Sequence, residues 1–359
     1  MNTFGTIFRV SIFGESHGEE IGVVLDGVEP GIALSESDFA RDIARRQSGT
    51  PGTTPRLEAD EPHILSGVFQ GHTTGAPLTI IFRNTNTRSE DYVRLRDIPR
   101  PGHADFTANV KYGGFQDPRG GGHFSGRLTL PVVAAGVVAK KVITNYLEGD
   151  EAFGMYSLVS EIGGVDRETA RRRLEESGFE FEEMYENAVD SVLWEPELDA
   201  ARKEGDSLGG VITCWIAGLP AGLGEPFWDS VESKLAHALF AIPGVRGVEF
   251  GDGFAAARMK GSEHNDCLVP RGPGGDVLPS SNHAGGINGG ITNGNPLVFR
   301  VAFKPTSSIA KVQQTFDFGR GEMTALQVPG RHDTCFALRT PVIVEAMAAI
   351  VLADLIDLA

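Results

Sequence analysis

The 359-residue sequence predicts an α+β protein: a β-α-β sandwich with helices between two antiparallel sheets, and an internal pseudo-twofold duplication. Three observations point that way. Short segments of alternating apolar and polar residues, bounded by glycine turns, read as strands of antiparallel sheets. Two long Ala/Val/Ile-rich segments read as helices buried on all sides. Residues 67–78, GVFQGHTTGAPL, and 286–297, GINGGITNGNPL, share six of twelve positions without a gap. Similar context repeats around them. Each is preceded by a turn leading into an amphipathic helix, DGVEPGI and AGLPAGL, and followed by a strand-like run, TIIFRN and VFRVAFK. A supersecondary unit occurring twice is the signature of duplication.

In chain order, residues 6–13 (TIFRVSIF) and 21–26 (IGVVLD) predict strands with GESHG between them. In LSESDFARDIARRQ, Ser35 and Asp38 have capping-box spacing and Phe39 and Ile43 share a face, which predicts a helix ending in Arg45 and Arg46. Residues 128–146 predict a buried helix with Pro131 near its start, and DSVESKLAHALFAI an amphipathic one ending before Pro243. The clearest helix is TPVIVEAMAAIVLADLIDL, with Thr340 as cap and Pro341 at its first position. One domain is expected across 1–359: a first half over about 1–160, a second over about 206–359, and a peripheral helical insertion at 161–205. That insertion holds 14 Asp/Glu and 6 Lys/Arg, and so half of the net charge of −16.

The acidic balance argues against nonspecific nucleic-acid binding. No basic n-region precedes an apolar stretch at the N-terminus, and no uncharged run of about 18 apolar residues predicts a membrane span. Cys214, Cys267 and Cys335 lack paired spacing and read as free thiols of a reducing cytoplasm. The nine histidines show no H-x-x-x-H or H-E-x-x-H pattern, so no metal site is expected. Basic residues gather locally instead, as suits a small anionic ligand held in a pocket.

GESHG (14–18) matches G-x-S-x-G, the pattern of a hydrolase nucleophile elbow. An elbow needs a helix directly after the serine, whereas EEIGVVLDGVEPG has β-branched residues and turn signals. The stretch therefore reads as a hairpin turn that projects His17, an imidazole able to donate a proton near neutral pH. RPGHADFTANVKYG (100–113) combines Arg100, His103, Asp105 and Lys111 in a Pro/Gly-bounded loop. PRGGGHFSGR (118–127) has three glycines flanked by arginines and opens a helix, as an anion nest does. KPTSSI (304–309) supplies a cation and several hydroxyls, and PGRHDTC (329–335) sets Arg331, His332 and Asp333 before the last helix. GGGHFSG and GGINGG lack the strand, helix and distant acid of a dinucleotide fingerprint.

Taken together and in order, GESHG, RRQSG, SGVFQGHTTGAPL, NTNTRSEDY, RPGHADFTANVKYG, RGGGHFSGR, GLPAGLGEP, SNHAGGINGGITNG, FKPTSSI and GRHD-T-C resemble the chorismate synthase family, along nearly the whole chain. The resemblance implies a sandwich fold, a homotetramer, and conversion of 5-enolpyruvylshikimate 3-phosphate to chorismate by 1,4-anti elimination of phosphate. It further implies reduced FMN as cofactor, supplied by an external reductant, and no partner among nucleic acids or membranes. His17 resembles the family's flavin-protonating histidine, His103 the one near the leaving phosphate, and Asp333 the carboxylate associated with the ring proton. Arg46, Arg127 and Arg339 match substrate-binding positions. His123, Phe124, Ser125, Pro243, Gly244, Gly289, Lys304, Pro305, Thr306, Ser307, Ser308 and Arg331 match flavin-binding positions. The sequence departs from the family pattern in three places. His123-Phe124-Ser125-Gly126-Arg127 stands where many members read Arg-Ser-Ser-Ala-Arg, an arginine near Gly52 is missing, and Thr334 replaces a usual proline.

Overall fold

The computed structural model describes every residue except 1, 50, 55–57, 86–94, 148–152, 178–191, 272–275, 329–331 and 359. Its α+β character is clear from two five-stranded antiparallel sheets and the helices packed on them. The first sheet has the order Thr3–Phe4, Arg9–Gly14, Glu20–Asp26, Leu78–Arg83, His63–Ser66. The second has the order Val165–Asp166, Gly154–Ile162, Gly210–Ala217, Leu297–Phe303, Val245–Phe250. In both, the strand that follows a Gly-rich hairpin lies between the strand before the G/P turn and the strand after the amphipathic helix.

The hairpins match in register. Val68 pairs with Thr73 and Phe69 with His72; Ile287 pairs with Thr292 and Asn288 with Ile291. Thr73 and Thr292 accept, through their hydroxyls, the amides of Ile32 and Leu223, each at 2.9 Å. Gly67 and Gly286 have φ of +84° and +86°. A Cβ there would come within 2.6 Å of Leu78 Cα and of the Pro296 carbonyl respectively, so both turns require glycine.

Period-2 alternation sends Ile21, Val23 and Leu25 to one face of the first sheet, each fully buried. The helix Thr129–Tyr146 packs on that face, and the C-terminal helix Pro341–Leu358 packs on strands Gly154–Ile162 and Gly210–Ala217. The two helices pack against each other. A Cβ added to Gly136 would fall 2.3 Å from Ala346 Cβ, so their approach rests on small residues. Each fully buried Leu, Ile or Val contributes about 1.5–3 kcal/mol. Glu345 lies in this interior, 1% exposed, and is satisfied by two bonds of 2.7 Å from Arg45, one of 2.7 Å from Ser157 and a contact with Lys140. Among the described residues one helix, Gly126–Tyr146, is long and apolar enough to cross a membrane by length and composition, although it carries Arg127, Lys140 and Lys141. It is 78% buried inside the protein, as a core helix is.

Two expectations change. Residues 105–112 form a helix rather than a loop, closed by Gly113 at φ +61°. Its apolar residues fall at 106, 108, 110 and 112, a period of two that does not read as a helix; the left-handed glycine cap is the readable signal. The 161–205 stretch was expected to be helical and peripheral. Residues 161–162 end the strand Gly154–Ile162 and, after a turn at Gly163–Gly164, 165–166 form the strand Val165–Asp166; helices follow at Arg167–Glu176 and Glu195–Glu204. Leu193, Trp194 and Leu198 are buried in the main core, because the apolar residues of the acidic segment turn inward.

Candidate active site

Loops from both sheets close around a cavity of about 960 Å³. Its floor begins with the glycine run. Gly120, Gly121 and Gly122 have φ of +60°, +87° and +54°, a succession only glycine adopts without strain. A Cβ on Gly120 would lie 2.6 Å from the His17 ring and 2.7 Å from Ser16 Oγ. The GESHG turn is followed by the strand Glu20–Asp26, not by a helix, so it is no nucleophile elbow. It places its two polar side chains differently from the expectation: Ser16 lines the cavity, while His17 is buried against Gly120 and is not on the lining surface. The sharp turn is anchored by the Ser16 amide donating to the Gly122 carbonyl at 3.1 Å.

Three arginines converge on the wall. The helix Ala40–Arg46 sends Arg45 to Glu345 and, one residue on, Arg46 into the cavity. Arg46 donates to Thr129 Oγ1 and to the Gly126 carbonyl, both at 3.0 Å. Burial first, then repulsion from Arg339, pull Arg46 down to about 9. Asp60 opposes this. Its carboxylate pairs with Arg127 and lies 3.5 Å from Arg46 Nη1. Asp60 is 5% exposed and has φ +51°, unusual for a residue with a Cβ. Arg339 donates to Asp333 Oδ2 at 2.8 Å, and Thr54 N–H donates to Asp333 Oδ1 at 2.8 Å.

A second group joins two loops. Arg100 donates twice to Asp105 at 2.8 Å and once to Ser308 Oγ at 3.0 Å. His103 Nδ1 stands 2.6 Å from Asp105 Oδ1, 3.2 Å from the Asp105 amide that donates to it and 3.1 Å from Arg100 Nη2, so this face of the ring is held and Nε2 is the nitrogen turned toward Gly121. Burial alone would raise Asp105, but hydrogen bonds from Arg100 and His103 outweigh it and hold the carboxyl far below the usual range. For His103, burial outweighs Asp105, and the nearby charges of Arg100 and Lys304 add to it; the imidazole is pushed below its ordinary value. Lys304 donates to the Gly102 carbonyl at 2.8 Å and to Ser307 Oγ at 2.6 Å, tying 304–308 to 100–103.

Of the residues singled out in the sequence, His103, Asp333, Arg46, Arg127, Arg339, His123, Phe124, Ser125, Pro243, Gly244 and Lys304 through Ser308 all line this cavity. His123 donates from Nδ1 to the Gly14 carbonyl at 2.8 Å, so it secures the glycine run to the first sheet. Gly289 does not line the cavity; it is exposed at the tip of the second hairpin. Arg331 lies outside the described residues. Sequence reasoning missed Ser16, Asp60 and Arg246. The first shares its turn with a more conspicuous histidine, and no local pattern marks the other two. Among the described residues no group of three or more His, Cys, Asp or Glu side chains could hold a metal ion. The three cysteines are free, with Cys214 and Cys335 buried.

Cations, a positioned imidazole and a held carboxylate facing one cavity, with apolar lining from Ile242, Ile343 and Met347, define an enzyme that binds a small, multiply anionic substrate and moves protons on it. Comparison with known proteins names the class. The family model described as chorismate synthase matches residues 8–356. A chorismate synthase of Chitinophaga pinensis is 53% identical over 99% of this chain and 96% of its own length. One from Aeropyrum pernix is 44% identical over 99% and 92%. A solved structure titled as a crystal structure of chorismate synthase superposes with a TM-score of 0.70 at 27% identity, covering 98% of this chain and 92% of that one. The chain belongs to the chorismate synthase family. It is a lyase of the shikimate pathway, converting 5-enolpyruvylshikimate 3-phosphate to chorismate and phosphate. The family uses reduced flavin.

Proposed function

We propose that this chain carries out the 1,4-anti elimination in the 960 Å³ cavity, with reduced FMN and substrate bound there together. The observation that carries the proposal is the convergence of Arg46, Arg127 and Arg339 with His103 and Asp333 around one cavity. The residues present fit a flavin. The volume is at the upper end of the roughly 300–1,000 Å³ of small-molecule sites. Thr306 Oγ1 and Arg339 Nε are buried polar atoms with no hydrogen-bond partner, which a ligand with polar edges would satisfy.

In this reading the loops 123–125 and 304–308 would hold reduced FMN, which would supply a transient source of electron density so that C–O and C–H cleavage need not be concerted. The arginines bind the carboxylates and phosphate and hold the ring in one orientation. His103, lowered by its burial, rests neutral beside Asp105. An approaching phosphate dianion favours the imidazolium, whose Nε2–H is then donated to the leaving phosphate. Asp333, oriented through Thr54 and Arg339, accepts the ring proton as the C–H pair becomes the new double bond. His17 holds a proton at the glycine run, and the Lys304–Ser308 and His123–Ser125 loops seat the cofactor.

Wider features belong to the same proposal. The shared strand order and matching hairpin register of the two sheets support duplicated halves forming a sandwich within one domain. A homotetramer, an external flavin reductant and a cytoplasmic setting complete it. The test is anaerobic phosphate release from 5-enolpyruvylshikimate 3-phosphate. Release should require reduced FMN without consuming it stoichiometrically. Release without flavin, or stoichiometric flavin oxidation, would overturn the proposal.

A further inference from the structure

We infer that Glu345, which does not line the cavity, is a positioning residue for Arg46 and through it for substrate binding; the inference rests on the function proposed above. Arg46 ends a helix of seven residues, Ala40–Arg46. A helix that short takes its orientation from tertiary contacts. Its neighbour Arg45 supplies a strong one. The Arg45 guanidinium donates from Nη1 and Nη2 to the two oxygens of Glu345, each at 2.7 Å. A two-pronged bond between planar groups fixes direction as well as distance. Consecutive helical residues project about 100° apart. Holding Arg45 on Glu345 therefore sets the rotation of the helix and turns Arg46 toward the cavity, where it meets Thr129 Oγ1 and the Gly126 carbonyl.

The surrounding cluster makes Glu345 a hub rather than half of a pair. Ser157 donates to it at 2.7 Å, and Lys140 stands 3.3 Å from it while pairing with Asp42 at 2.7 Å. Asp42, Lys140 and Glu345 come from three helices, and each of those helices also lines the cavity: the first through Arg46, the second through Thr129 and Val132, the third through Ile343 and Met347. Burial alone would raise the Glu345 carboxyl, but the hydrogen bond and charge of Arg45, with the charge of Lys140, outweigh it and lower it, so the carboxylate stays ionised. Stability does not account for such a group, because exchanging a buried ion pair for well-packed apolar residues is often neutral or stabilising. What apolar side chains would not supply is a fixed direction for Arg46.

Arg45→Met together with Glu345→Leu removes the pair, keeps its bulk and leaves Asp42 with Lys140. Affinity for 5-enolpyruvylshikimate 3-phosphate is measured by calorimetric titration of the wild type, of Glu345→Gln and of the double replacement, each with and without Arg46→Gln. With Arg46 present, both changes should weaken binding about tenfold, the size of coupling within one hydrogen-bonded network. In the Arg46→Gln background the same changes should weaken it less than about twofold, because the residue they act through is gone. Equal losses in both backgrounds would reduce Glu345 to a structural role, and unchanged affinity would remove it altogether; either result overturns the inference. Where Glu345→Gln fails to fold, the double replacement carries the comparison; failure of both would make the cluster a requirement of the fold and overturn the inference. A crystal structure of the double variant reads the position directly. Arg46 should have left Thr129 Oγ1 and the Gly126 carbonyl, and an unmoved Arg46 would also overturn the inference. A wild-type chain that bound no substrate would instead overturn the proposed function, and the crystal structure would then decide the position of Arg46 alone.

Discussion

Replacing Asp60 by Asn removes one charge and keeps the shape, and its cost follows from the neighbours. Asn tolerates the positive φ of +51° as Asp does, so the backbone stays in place. The lost carboxylate pairs with buried Arg127 and stands 3.5 Å from buried Arg46. Arg46, already lowered to about 9, loses an attractive partner and faces Arg339 and Arg127 with less compensation. Breaking one side of a buried pair costs about 3–5 kcal/mol. For 359 residues, at about 2.1 cal/mol/K each, the unfolding entropy is about 0.75 kcal/mol/K, so the cost becomes a fall in Tm of about 4–7 °C. Calorimetry on wild type and variant reads this directly. Added substrate supplies anionic charge to the same arginines, so it should narrow the gap. A fall below about 1 °C, or a gap that substrate leaves unchanged, would refute the view that Asp60 compensates this cluster.

His103→Ala and His17→Ala should each slow single-turnover phosphate release by about 10²–10⁴-fold with little change in flavin affinity; near-wild-type rates in folded protein would remove them from the mechanism. Gly120→Ala puts a Cβ 2.6 Å from the His17 ring at φ +60°, so it should lower both Tm and turnover. An unchanged rate would show that His17 need not keep its place. His103 binds its proton less tightly folded than unfolded, so its contribution to stability is full above about 6.5 and declines as pH falls through 6.5 toward the folded value. Between pH 7.5 and 5.5 the wild type should therefore lose more stability than His103→Asn in urea unfolding, and equal losses would contradict the lowered pKa.

Much of this protein is written locally. Alternating Ile21, Val23 and Leu25 specify a strand with one buried face, and Thr340–Pro341 before an unbroken apolar run specify the start of a core helix. The glycines at 67 and 286 specify turns because no other residue fits their backbone. Motif residues also announce themselves by type and order: His103 beside Asp105, three glycines before Arg127, and Lys304 before two serines. Each of these signals depends on dihedral preference or side-chain period, properties of neighbours along the chain.

What the tertiary structure alone decided depends on segments far apart in sequence. That Ser16 of GESHG lines the cavity while His17 is buried beside it depends on Gly120, about a hundred residues away, whose missing Cβ leaves room for both side chains. Asp60 becomes the counter-ion of Arg46 and Arg127 only because strand, loop and helix bring three segments together in a buried place where an unpaired charge is costly. Arg246 turns into the cavity through a register shift against Leu297–Phe303, and a register exists only once strands pair. Trp194 sits in the main core although its own segment is acidic, because burial is a property of the assembled surface and not of local composition.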